Sequence, residues 1–266
     1  MGQGKTKQKL TLAATASVLL AFLVLTAIAQ AGISQKGDLQ VSFEGGIRPS
    51  TLPRSKPSPV TVEMSGSIKT TDKSVPPRLE RISLQINSHG KLSSKGLPTC
   101  NLAAISTGTG ATAKRVCGGA LIGHGNVTSR IAFPSQEPFL SIGGMLAFNG
   151  TYKGRPAIFA QVSSQTPLSL TYVIVFEVKK THGTYGTALD ATLPPIASGY
   201  GEISSFYMTL GRKFSSHGHN ESYASADCPA PSGIREVIFK LAKATYEFEG
   251  GVKMENELNK QCKAKG

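Results

Sequence analysis

The sequence predicts an all-β protein, most simply an antiparallel two-sheet sandwich with jelly-roll or Greek-key connections, with a closed β-barrel as runner-up. Three observations carry that expectation. Apolar and polar residues alternate with period two through much of the chain, as in strands with one buried face. Clusters of Gly, Pro, Asn and Ser interrupt the alternation at short intervals. The 29 glycines and 15 prolines suit many turns and would break a helical bundle.

Taken in order, residues 1–31 stand apart from the rest. Lys5, Lys7 and Lys9 precede an uncharged apolar stretch over residues 10–29, and Ala27, Ala29 and Ala31 form a small-residue exit. A basic head, an apolar body and such an exit are the parts of a secretory signal. The stretch also reaches the ~20 apolar residues that cross a bilayer, so an uncleaved signal anchor with its lysines on the cytoplasmic side is the alternative. Residues 32–266 then read as a single β-domain, placed outside the cell or in its envelope.

Within that domain, residues 39–43, 60–65 and 81–87 (RISLQIN) alternate cleanly. Between the first two, residues 48–59 (RPSTLPRSKPSP) hold four prolines and no periodicity, an extended connection rather than a domain boundary. Further strands are expected at 115–122, 127–133, 140–148, 157–162, 187–193 and 206–210. Residues 170–178 (LTYVIVFEV) are apolar on both faces over most of their length and suit a central strand. Asn149-Gly150 lies between two apolar runs and suits a tight hairpin turn. Residues 232–250 fit a helical stripe, but also two period-two runs joined by a one-residue slip: Val237, Phe239 and Leu241, then Ala244, Tyr246 and Phe248. The wealth of β-formers in residues 245–248 favours strand, the slip marking a bulge. A short helix is expected near residues 255–260.

Four cysteines, Cys100, Cys117, Cys228 and Cys262, all follow the apolar segment. An even count in an exported chain implies two disulfides. Three pairings exist, of which the local one, Cys100 with Cys117 and Cys228 with Cys262, is preferred. No C-x-x-C or finger-spaced histidine supports zinc.

The formal net charge is +13. Setting aside the three leader lysines, the excess is still about ten, which favours anionic partners such as cell-wall polymers. The basic residues are scattered, and no basic–aromatic stripe suggests nucleic acid. Four histidines, His89, His124, His182 and His217, directly precede glycine, which reads as hairpin tips. The chemical alternative is a divalent metal held by His217 and His219 with Asp227 as third ligand; otherwise no cofactor is expected. Hydrolase elbows, zincin motifs and P-loops are absent from the sequence, and Asp190 near His182 is the one loosely suggestive acid–histidine pairing. Tryptophan is missing, leaving Tyr185 and Tyr200, in glycine-rich stretches, as candidate sugar platforms.

Residues 96–100 (GLPTC), 117–125 (CGGALIGHG), 147–150 (AFNG), 227–231 (DCPAP) and 261–263 (QCK) together resemble a group of uncharacterised exported proteins of actinobacteria. The resemblance spans most of the domain and implies secretion, paired cysteines and β-structure. It brings no activity. The expectation is therefore a non-catalytic envelope or secreted protein that binds through its surface. The alternatives are a small-ligand or metal carrier, with its site between sheets or at the histidine tips, and an exported hydrolase.

Overall fold

The computed structural model describes residues 32–265, so the signal or anchor reading of residues 1–31 lies outside the described residues. The strands are β1 (Gly32–Lys36), β2 (Leu39–Arg48), β3 (Thr51–Leu52), β4 (Ser58–Pro59), β5 (Thr61–Thr70), β6 (Leu79–Asn87), β7 (Gly90–Leu92), β8 (Leu121–Ile131) and β9 (Phe139–Tyr152). They continue as β10 (Arg155–Ser164), β11 (Leu170–Lys180), β12 (Tyr185–Thr192), β13 (Gly201–Leu210), β14 (Lys213–Ser216), β15 (His219–Ser222), β16 (Ala224–Ala226), β17 (Glu236–Phe248) and β18 (Val252–Ala264). Two short helices, α1 (Leu102–Ile105) and α2 (Gly110–Cys117), precede β8.

The protein is mostly β, but the two-sheet sandwich is not confirmed. One 13-stranded sheet runs β1-β2-β5-β13-β8-β9-β10-β11-β12-β6-β17-β18-β3 and curls into a half-barrel. Its pairings are antiparallel apart from β18 with β3, which makes the sheet mixed. The ends of the ladder approach one another at β18. There the buried Asn256 amide donates to the Gly32 carbonyl at 2.7 Å and its oxygen accepts from the Ser34 hydroxyl at 3.3 Å. A side chain thus ties β18 to β1 where no ladder does, among the described residues. Two smaller sheets, β14-β15 and β4-β16-β7, flank the main one.

The alternation seen in the sequence points one residue of each pair into the half-barrel. Val41, Ile82, Leu84, Val127, Ile158, Ile174, Leu189 and Tyr246 are among the buried side chains of the main core. Two satellite cores lie elsewhere, each built round one disulfide. Cys100–Cys117 pins α1 and α2 over the outer face of β9 and β10, burying Ile105, Phe148 and Phe159. Cys228–Cys262 holds β18 beside residues 224–230 and the fully buried Leu52. The local pairing is therefore the one formed.

Several local expectations are corrected. Residues 115–117 are helical: Thr109 caps α2 by accepting from the Thr112 amide, and strand begins only at Leu121. Arg212 then donates to the carbonyls of Gly118, Gly119 and Leu121 at 3.2, 2.7 and 2.9 Å, satisfying the chain just beyond the helix end. Asn149-Gly150 is no turn. Both lie inside β9, where the Asn149 amide donates to the Pro98 carbonyl and Gly150 leaves room for the Phe159 ring, 2.3 Å from where a Cβ would sit. The hairpin turns instead at Lys153 (φ 49°) and Gly154 (φ 76°). Residues 255–260 are strand, paired throughout with β17. The one-residue slip is real: the β17–β18 register shifts between Lys240 and Ala242, leaving Leu241 as the extra residue of a bulge. The proline-rich residues 48–59 contribute β3 and β4, and Arg54 within them donates to the carbonyls of Ala230, Pro231 and Ile234.

Candidate binding groove

The residues that alternate with the core positions on β6, β11, β12 and β17 face outward and build a polar floor. Register places Glu177 beside Asp190, Asp190 beside Ser83, Ser83 beside Thr245 and Thr245 beside Glu255, a row across five strands. The next row sets Thr192, Arg81, Glu247 and Lys253 side by side. Over these rows lies an open groove of about 770 Å³. The β9–β10 turn, with Tyr152 and Lys153, forms one rim, and Leu193, Pro194 and Pro195 form another; Val173 and Val175 make an apolar strip within it.

Charge in the groove is largely paired. Arg81 and Lys253 approach Glu247 at 3.6 and 3.5 Å, and Lys179 meets Asp190 at 2.9 Å. Burial pushes the Asp190 carboxyl up, but hydrogen bonds from Ser83, at 2.6 Å, and from Lys179 outweigh it and hold it below the ordinary carboxylate range. The same hydrogen bond, with the charge of Asp190, raises the Lys179 ammonium. Lys153 differs. It has no acidic partner among the described residues and lies over the Tyr152 ring, 5.1 Å from its centroid. The lining carries four cations, Arg81, Lys153, Lys179 and Lys253, against Glu177, Asp190 and Glu247.

The floor offers hydroxyls, carboxylates and cations, and the rim an aromatic ring and an unpaired cation. Ser83 donates to Asp190, and no histidine lines the groove to draw a proton from that serine.

Of the residues singled out from sequence, Asp190 lies in the groove and the others lie elsewhere. His217 sits at the β14–β15 turn with φ 51°, and His219 opens β15. Asp227 does not join them: its buried carboxylate meets His89 Nδ1 at 2.7 Å. No group of three His, Cys, Asp or Glu suited to a metal occurs among the described residues. His124 is no hairpin tip but lies within β8, where Gly125 lets the strand pass close to the Tyr207 carbonyl. Asp190 binds Ser83 and Lys179 rather than His182. Tyr185 donates to Glu257 at 3.0 Å, and the Tyr200 ring lies tilted against Phe133 with centroids 5.5 Å apart. The groove aromatic is Tyr152, which only its place beside the β9–β10 turn marks out.

No family model matches the chain, and neither a curated protein nor a solved structure matches it.

Proposed function

We propose that the protein is an exported, non-catalytic binding protein whose outer groove holds a segment of an anionic envelope polymer. The single observation that carries this reading is the groove over β6, β11, β12 and β17, open, polar-floored and carrying the unpaired Lys153 on its rim. Two disulfides fit a protein that works outside the reducing cytoplasm. The excess of about ten positive charges that remains without the leader lysines would draw an anionic polymer towards the molecule before the groove engages it.

Co-sedimentation with purified cell-wall material tests the reading. Binding is expected at low salt and release at high salt, as the screening length falls from about 30 Å at 0.01 M to about 3 Å at 1 M. Complete indifference to wall material at low salt would overturn it.

A further inference from the structure

The wall that carries the groove on its outside encloses a separate chamber on its inside. Along β17, Thr245 and Glu247 line the groove while Tyr246 between them lines the chamber; along β12, Asp190 and Leu189 divide in the same way. The chamber is a cavity of about 80 Å³ whose walls include Val41, Ile68, Met145, Ile158, Ala160 and Tyr246. No charged side chain borders it. A second cavity of about 60 Å³ adjoins it, the two sharing Met64, Leu84, Leu189 and Leu210 as walls.

Strand number explains why space remains. Side chains fill a closed barrel of about eight strands, and wider curvature leaves a lumen that they do not reach across. The chamber is roomy enough for more than one water, yet its surface offers almost nothing for water to hydrogen-bond, so apolar matter suits it better. Ser42, Ser67, Ser205 and Tyr246 are the hydroxyl-bearing residues of its lining. The Tyr246 hydroxyl is buried, and it has no hydrogen-bond partner among the described residues. Such an orphan costs about 1–3 kcal/mol unless something pairs with it. Of the other unpartnered buried atoms, neither the Tyr172 hydroxyl nor the Gln161 carbonyl oxygen belongs to this chamber. Ser42 and Ser67 on its wall are hydrogen-bonded to each other at 2.7 Å.

We infer that the half-barrel interior is a second binding site, for an uncharged, mainly aliphatic molecule with one hydroxyl or carbonyl that pairs with Tyr246. A carboxylate or ammonium is disfavoured because nothing in the chamber would compensate a buried charge. Met64, unbranched and adaptable, would let a longer chain extend from the first cavity into the second. The polar floor of the groove points the other way, and the two spaces share Ile82 and Leu193 as walls.

Calorimetric titration of the purified protein with 1-butanol, and with butanoate at pH 8, tests the assignment. One butanol per chain is expected, with butanoate at least about tenfold weaker. Tyr246→Phe keeps the ring and removes the hydroxyl, and should weaken butanol about tenfold. Ala160→Leu should fill the chamber and abolish binding while leaving wall-polymer binding unchanged. If Ala160→Leu does not fold, Tyr246→Phe decides alone. Absence of butanol binding, equal binding of butanoate, or unchanged affinity in Tyr246→Phe would overturn the inference.

Discussion

The two faces of the β11-β12-β6-β17 wall are made from the same residues read alternately, yet they differ in almost every physical respect. Inside, Ile174, Leu189, Ile82, Leu84 and Tyr246 bury apolar surface round a chamber that no charge borders. Outside, Asp190 pairs with Ser83 and Lys179, and Glu247 with Arg81 and Lys253. A step of one residue therefore moves a side chain from an environment that rejects charge to one that uses it. Apolar packing thus lies on the inner face and the polar, charged contacts on the outer. The exception is instructive: over β9 and β10 the outer face also turns apolar, because the disulfide-pinned helices cover it.

Exchanging inner for outer character at one position has the largest expected effect. Leu189 is 2 % exposed, and Leu189→Asp should cost about 4 kcal/mol or more, enough to abolish cooperative unfolding in urea. A variant that unfolds like the parent would show that position 189 does not face the core.

The two disulfides give the next largest effects. Their cysteines lie 34 and 17 residues apart, so on the chain-entropy model Cys228→Ser/Cys262→Ser should lose about 4 kcal/mol and Cys100→Ser/Cys117→Ser about 3. The second pair also loosens the helical cover over Phe148 and Phe159, so that variant alone should gain binding of a dye that reports exposed apolar surface. Equal dye binding by both variants would mean the cover does not depend on its disulfide.

A carboxyl at the half-barrel's margin gives a smaller, pH-dependent effect. Burial raises the Glu202 carboxyl to about 7, Arg78 opposing and Glu249 reinforcing the shift, while the Leu79 amide lowers it. Because the folded form then holds a proton that the unfolded chain releases, stability falls as pH rises from about 4.5 to about 7. Glu202→Gln removes that loss. Its urea midpoint should match the parent at pH 4 and exceed it at pH 8, by on the order of 1 kcal/mol after allowance for partial exposure. A constant difference across that range would contradict the burial of this carboxyl.

Asp190→Ala should have the smallest effect, under about 1 kcal/mol at pH 7, since its pair with Lys179 is partly solvated. Its lowered carboxyl contributes stability above its unfolded pKa, lost as pH falls through the folded one. The variant and parent should therefore converge in acid.

Much of the wall was legible because alternation reports which residues share a face. Residues 81–87, 170–178 and 237–248 were recognisable as strands, with a one-residue slip between Leu241 and Ala244 that the structure places at Leu241 itself. Alternation does not report which strands are neighbours, and a sandwich and a curled sheet impose the same pattern on each strand. Hence β13 between β5 and β8, and β6 between β12 and β17, could be found only in three dimensions. The same gap hid the groove, whose residues come from separate segments and share a face only once the register is fixed. Local misreadings had local causes. Asn149-Gly150 has the chemistry of a turn, but its glycine serves close packing against Phe159. Residues 110–117 show no clean helical stripe, and the Thr109 cap with the disulfide-held cover decides their conformation.

Polymer retention by two charge-matched variants tests the groove most directly. Lys153→Glu/Lys253→Glu reverses two cations of the groove, and Lys36→Glu/Lys69→Glu reverses two exposed lysines on β1 and β5, away from it. The groove variant should lose about tenfold or more in affinity for wall polymer at low salt, and the other no more than about twofold. Equal losses would mean that net charge alone attracts the polymer and that the groove does not hold it.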